Sequence, residues 1–201
     1  MTTLVAIQNK DWCIIAADSQ ATDSFRKYDI SPTGKINLNN GYLFASAGLC
    51  RGQNLLAFGW TPPRPPKNNL DKFITKVFIP AMRKHFIASG YDMKDDGDIA
   101  SFDNDLLIGV RGVIYSIDSS YAWERTSGSI YSAGSGGSYA MGALDAYQVE
   151  EKSSYEDAIA IAVRSIEIAI KRDPYSGGKV QIGIQHRNGK SMVETLDDDD
   201  E

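Results

Sequence analysis

The residue with the most chemistry to offer stands second in the chain, within Met1-Thr2-Thr3. Thr2 is small, so a methionine aminopeptidase could remove Met1 and leave Thr2 as a free N-terminus. A terminal threonine holds a hydroxyl nucleophile and an α-amino group able to take its proton. That amine has a pKa of roughly 7.7–8.0, near working pH, whereas an internal hydroxyl must borrow a base. Taken alone, an ordinary Met-Thr start accounts for these residues equally well. A second stretch, Gly134-Ser135-Gly136-Gly137, lies where a helix opens and has the composition of a phosphate-binding loop. No Gly-Lys-Ser/Thr follows it, which argues against a nucleotide. Cys13 and Cys50 sit inside apolar segments without metal or disulfide spacing and read as reduced core thiols. Neither a cofactor nor a metal is implied.

These residues must be positioned by elements that the apolar pattern delimits. Thr3 to Ile7 and Trp12 to Ala17 are nearly continuous apolar runs around a polar separator, predicting a hairpin of strands covered on both faces. Asp18 to Thr22 leaves this hairpin as a polar loop, followed by a flexible Ser/Pro/Gly segment. Lys35 to Leu38 and Tyr42 to Ala47 form a second hairpin about Asn39-Asn40-Gly41, ending at Gly48. A helix over Cys50 to Phe58 is stopped by Pro62-Pro63-Arg64-Pro65-Pro66, which reads as a spacer rather than a ligand for a proline-binding module. The next helix carries a stripe of Leu70, Phe73, Ile74, Val77, Phe78 and Ala81, with Asn69 as its cap and Pro80 as a kink. Asp92 to Asp98 is a charged loop. Strands over Leu106 to Val110 and Val113 to Ile117 follow, and Ser129 to Ala133 continues the β region. The glycine loop then opens a helix through Leu144 and Tyr147. Ser153 and Glu156 form a capping box for a helix to about Lys171, apolar on most sides and hence buried. Val180 to Gln185 and Met192 to Leu196 close the chain. This order predicts an α+β fold, two sheets face to face with helices outside, a four-layer αββα sandwich.

Composition bounds the rest. At 201 residues and 42% hydrophobic, one domain over 1–196 is expected. The five residues 197–201 are all acidic and account for the formal charge of −5; without them acidic and basic residues number 21 each. The tail reads as solvated, and the balanced body offers no basic stripe for nucleic acid. No apolar run approaches the ~20 residues of a membrane span, and the start lacks signal-peptide features, so a soluble cytoplasmic protein is expected.

Six stretches, in order, resemble proteasome β subunits: Thr2-Thr3-Leu4-Val5; Ala16-Ala17-Asp18 with Gln20-Ala21-Thr22; Gly34-Lys35-Ile36; Ser46-Ala47-Gly48; Gly134 to Gly137; and Arg172-Asp173 with Ser176-Gly177-Gly178. Asp18 to Thr22 and Gly136 to Ala140 are closest to the bacterial HslV peptidase. The resemblance spans nearly the whole chain. It implies an N-terminal nucleophile (Ntn) hydrolase of the threonine peptidase type, with Thr2 as nucleophile. Lys35 would then place its charge beside the Thr2 hydroxyl and Asp18 would hold Lys35. Gly48 would offer its N–H to an oxyanion. Ser135, Asp173 and Ser176 would position the terminal amine, and Ala21, Thr22, Ser46 and Cys50 would border the substrate. Taken singly, Lys35 is a strand-start lysine, Asp18 and Gly48 are turn residues, and Asp173 and Ser176 close a helix.

The chain departs from the family pattern where prolines cut the helix after Gly48 near Trp60, and where Pro174-Tyr175 separates Asp173 from Ser176. The expected function is a threonine endopeptidase enclosed in a homo-oligomeric ring or double ring. It would act on unfolded polypeptide delivered by a separate AAA+ ATPase unfoldase, since the chain lacks a nucleotide motif. An inactive structural subunit and a small-molecule amidase are the alternatives.

Overall fold

Alternation along the strands sets the architecture of the computed structural model, which describes residues 2–23, 25–31, 33–92, 100–126, 128–148 and 153–196. Met1, most of the charged loop after Asp92 and the acidic tail lie outside the described residues. In chain order, β1 (Leu4–Gln8) and β2 (Trp12–Asp18) form the first hairpin, and β3 (Gln20–Thr22) and β4 (Lys27–Asp29) a small second one. Then come β5 (Ile36–Asn39), β6 (Tyr42–Gly48), α1 (Cys50–Phe58), α2 (Leu70–Phe73), a π turn (Ile74–Phe78) and α3 (Ile79–Ala88). The second half runs β7 (Asn104–Val110), β8 (Val113–Ile117), β9 (Trp123–Glu124), β10 (Ile130–Ala133), α4 (Gly137–Tyr147), α5 (Tyr155–Ile170), β11 (Val180–His186) and β12 (Ser191–Leu196).

Two antiparallel five-stranded sheets result, ordered β10-β1-β2-β11-β12 and β5-β6-β7-β8-β9. Side chains at successive strand positions point to opposite faces, so each sheet contributes to two apolar layers. In β1 and β2, Val5, Ile7, Ile14 and Ala16 meet Leu144, Ala158, Ala162 and Ile166 of α4 and α5. Their alternates Leu4, Ala6, Ile15 and Ala17 meet Leu43, Ala45 and Leu107 of the other sheet. That sheet's far face, with Tyr42, Phe44, Ile108 and Tyr115, packs under Leu56, Ile74, Phe78, Met82 and Phe86. Three apolar interfaces between four layers make the αββα sandwich, with the expected nearly continuous burial of β1 and β2. No helix among the described residues is long and apolar enough to cross a membrane.

The inter-sheet layer also holds amide side chains. Gln185 of β11 accepts from Gly112 N–H at 3.0 Å and donates to the Gly41 carbonyl at 3.1 Å, reaching from one sheet to the other. Gln8 accepts from Ile114 N–H at 2.8 Å. A buried amide is tolerated when both its ends are matched, and leaving one end unmatched costs about 1–3 kcal/mol. The proline run is held by the same logic. Prolines supply carbonyls but no N–H, and Asn40, Tyr42 and Arg111 donate to those of Pro62, Pro63 and Pro65.

Several sequence expectations need correction. The polar loop after Asp18 is the β3–β4 hairpin, too short and polar to show an apolar period. Asn69 adopts a left-handed backbone (φ 59°) and makes no capping bond. The stripe it precedes is re-phased by the π turn, where Ile79 N–H bonds the Ile74 carbonyl five residues back, just before Pro80. Burial then recurs every four residues, at Ile74, Phe78, Met82 and Phe86, and Val77 turns outward at 43% exposure. α5 is capped by Ser154, which accepts from Asp157 N–H at 3.0 Å, so the cap is Ser154 rather than Ser153 and α5 starts one residue later than expected. Cys13 is buried, and burial pushes its thiol up to about 12, but Cys50 is exposed at the start of α1 rather than a core thiol.

The inter-sheet layer supplies a stability test. Ile15→Ala, at a fully buried site, should lower the unfolding free energy by about 2–5 kcal/mol with an unchanged urea m-value. A loss below about 1 kcal/mol would show that this layer is not close-packed.

Candidate active site

β2 ends on Asp18, whose carboxylate is fully buried and therefore must be matched at both oxygens. Oδ1 accepts from the Lys35 ammonium at 2.7 Å and from Thr3 N–H at 2.8 Å. Oδ2 accepts from Gly177 N–H at 3.0 Å and Gln20 N–H at 3.3 Å. Lys35, just before β5, is 3% exposed. Burial pushes its ammonium below the ordinary lysine value, and the Asp18 charge and hydrogen bond oppose that shift. The lysine is thus a buried cation held by one carboxylate, not a surface strand-start residue.

The second cluster forms where the glycine loop meets the turn after α5. Asp173 Oδ2 accepts from Ser135 Oγ at 2.7 Å and Ser176 Oγ at 2.6 Å, and Oδ1 from Tyr175 N–H at 3.2 Å. Burial raises the Asp173 carboxyl, but the bonds from Ser176, Ser135 and Tyr175 outweigh it and hold the group below the usual carboxylate range. With the Ser176 proton committed to Asp173, the Thr3 hydroxyl donates in its 2.6 Å contact with Ser176 Oγ. Ser135 Oγ also lies 3.4 Å from the Thr2 carbonyl. Gly136 permits this crowding, because a Cβ there would meet Thr3 Oγ1 at 1.9 Å and Asp173 Oδ2 at 3.2 Å.

Both clusters border one cleft of about 750 Å³ between the sheets' ends. Of the residues singled out from sequence, Thr2, Ala21, Thr22, Lys35, Ser46, Gly48, Cys50 and Ser135 line it. Asp18, Asp173 and Ser176 lie behind this wall, buried. Thr2 is 4% exposed, at the cleft's inner end. Gly48 ends β6 at φ 141°, and a Cβ would meet the Asp103 carbonyl at 2.3 Å, so no other residue fits without moving the start of β7. Asn104, at that start, donates to the Leu49 carbonyl at 3.2 Å and accepts from Tyr91 Oη, bracing the same turn. Gln53 and two acidic residues, Asp103 and Asp105, complete one side. Among the described residues no group of three or more His, Cys, Asp or Glu side chains could hold a metal ion.

Thr3 was not singled out from the sequence, yet it joins the two clusters, giving its N–H to Asp18 and its hydroxyl to Ser176. The signal was there: a hydroxyl at the head of an apolar strand, fully buried, has to find a partner.

Comparisons with known proteins bear on the fold and the family rather than on these side chains. A proteasome subunit family model matches residues 107–185. Proteasome subunit beta 2 of Pyrobaculum islandicum is 27% identical over 97% of this chain and 96% of its own. Proteasome subunit beta of Haloquadratum walsbyi is 24% identical over 98% of this chain and 78% of its own. BPH of Thiobacillus denitrificans, solved in complex with epoxomicin, superposes with a TM-score of 0.68 at 20% identity, covering 92% of this chain and 98% of that one. In sequence the chain is similar to proteasome β subunits over nearly its whole length, and in fold it matches BPH.

Proposed function

We propose that the chain is an N-terminal threonine endopeptidase with Thr2 as nucleophile once Met1 has been removed. The observation that carries this reading is the placement of Thr2 in one cleft between two fully matched polar clusters, Asp18–Lys35 and Ser135–Asp173–Ser176. In the proposed reaction the Thr2 amine takes the proton of its own hydroxyl as Oγ1 adds to the scissile carbonyl carbon. The oxyanion is received by the Gly48 N–H. The amine then gives its proton to the leaving nitrogen as the C–N bond breaks, leaving an ester on Thr2. Water, deprotonated by the same amine, cleaves that ester and restores the hydroxyl.

Each cluster has a part in this scheme. The Lys35 ammonium, kept from water and fixed by Asp18, lowers the cost of negative charge on Thr2 Oγ1. Ser135, with Asp173 and Ser176 behind it, holds the Thr2 main chain and through it the amine. Ala21, Thr22, Ser46 and Cys50 border the substrate chain. No step requires a cofactor.

A bare N-terminal nucleophile discriminates little among cellular polypeptides, so the reading extends to a homo-oligomeric ring or double ring, with about six or seven copies per ring by the family resemblance. Exposed apolar side chains support contacts between copies, among them Phe58 at 74% and Ile87 at 56% on the helical layer over the β5–β9 sheet. Unfolded polypeptide would be fed in by a separate AAA+ ATPase, with the acidic tail as a candidate contact.

Three outcomes are expected. First, the mature mass should lack Met1, and a peptide epoxyketone such as epoxomicin should add once, since its adduct uses both hydroxyl and amine of a terminal threonine. Thr2→Ala should abolish labelling and turnover while folding normally, and Thr2→Ser should keep part of both; turnover by Thr2→Ala at the wild-type rate would sink the assignment. Labelling without any peptide turnover would favour a small-molecule amidase. Second, the depressed Asp173 carboxyl contributes stability that is present above its ordinary value of 3.8 and is lost as pH falls through the lower folded value. The stability gap between wild type and Asp173→Asn should therefore be flat at neutral pH and shrink below about pH 4. A gap unchanged down to pH 2 would mean that the two serines do not favour the charged form. Third, native mass spectrometry at micromolar concentration should show closed oligomers, and a stable, fully active 22.0 kDa monomer would overturn the compartment.

A further inference from the structure

An ammonium on a flexible four-carbon stem is placed only as well as the backbone that carries it. Asp18 fixes the tip of Lys35, and the other sheet grips its base. Gln181 of β11, 6% exposed, accepts with Oε1 from both Lys35 N–H and Ile36 N–H at 2.7 Å each. Its Nε2 donates to the Ile36 carbonyl at 3.2 Å. Both acceptor positions and one N–H of the amide are thus spent on the two residues that launch β5. Gly34 makes room for it: a Cβ there would lie 2.1 Å from Gln181 Nε2, and its φ of +63° already selects glycine.

The pairing of β2 with β11 makes this a single device. Asp18 faces Val180 and Ala17 faces Gln181 across that ladder, so the carboxylate for the ammonium and the amide for the backbone come from adjacent rungs. Gln185, four residues along β11 on the same inter-sheet face, is a matched control. It bridges to Gly112 and Gly41, neither of which lines the cleft.

Resting on the reading that Lys35 acts on the Thr2 hydroxyl, we infer that Gln181 is a positioning residue, whose side-chain amide sets where in the cleft the Lys35 ammonium sits. A displacement of about 1 Å at such a group is worth up to two orders of magnitude in rate. Substrate contacts do not pass through Gln181, so the loss belongs in the chemical step and not in affinity.

The test uses the mature, assembled protein and the second-order labelling of Thr2 by epoxomicin, resolved into kinact and KI by adduct mass against time. Gln181→Met keeps length and volume but removes the acceptor; it should lower kinact about tenfold or more with KI within about twofold. Gln185→Met should lower the melting temperature to a similar degree and leave kinact unchanged. Gly34→Ala, which displaces the amide while keeping Gln181, should reproduce the kinact loss and carries the same expectation should Gln181→Met not fold. A folded Gln181→Met or Gly34→Ala protein with the kinact of Gln185→Met overturns the inference. Lys35→Ala separates the two levels. Full labelling by Lys35→Ala sinks the catalytic reading itself, whereas its loss alongside normal labelling by Gln181→Met sinks this inference alone.

Discussion

The arrangement depends most on one buried carboxylate. Asp18 has no exposure, and an isolated charge there would be prohibitive. It is tolerable because four donors from separate segments converge on it: Thr3 and Gln20 from its own neighbourhood, Lys35 from the other sheet, and Gly177 from the turn after α5. Removing any one leaves part of a buried charge unmatched, so these segments are tied together by electrostatics in addition to their apolar packing. The long extended runs on either side then inherit their register. β1 is tied at Thr3, β11 at Gly177 just before its start, and β5 at Lys35 just before its own.

The Asp173 cluster repeats the principle at lower burial. Its two serine donors come from the glycine loop and from the turn that carries Asp173 itself. Thr3 couples this cluster to the first, with its main chain in one and its hydroxyl in the other. Because the two carboxylates are held through one residue, neither is free to relax alone, and Thr2 is the residue just before it in the chain. On the proposed reading, positional control of Thr2 draws on Asp18, Asp173 and Ser176 behind the cleft wall as well as on Lys35 and Ser135, which line it.

Much of this was legible in the sequence because apolar period is a strong signal. The strand pairs, α1, α4 and the four layers follow from it. The residues that line the cleft or back it were marked by the resemblance to proteasome β subunits, since singly they read as turn, strand-start and helix-end residues. What failed to show was polar structure that depends on partners. β3 and β4 have no apolar face to mark them, and their pairing is set by the Asp18 and Gly177 contacts that begin it. Thr3 and Gln181 read as ordinary polar interruptions of apolar strands until burial and strand parity are considered together. Cys50 was misplaced for the opposite reason, since an apolar flank alone does not say on which side of a helix N-terminus a residue falls. The π turn before Pro80 re-phased a stripe that a constant helical period had drawn through Val77.

The distribution of these contacts along the chain has a consequence for when chemistry can begin. Asp18 sits 16 residues past Thr2 but is completed by Gly177, and Ser135 meets Asp173 only when the glycine loop and the end of α5 are together. Long-range pairs of this kind close late, because loop-closure entropy is lost before the contact is gained. On the proposed reading, Thr2 in a partly folded chain would have neither a fixed cation nor a fixed main chain, and its hydroxyl would be no better a nucleophile than any other. Pre-organisation of the cleft is thus available only to the finished β2–β11 ladder. That ladder adds the last strands in sequence to the first, so nearly the whole chain must be folded before Thr2 is set in place.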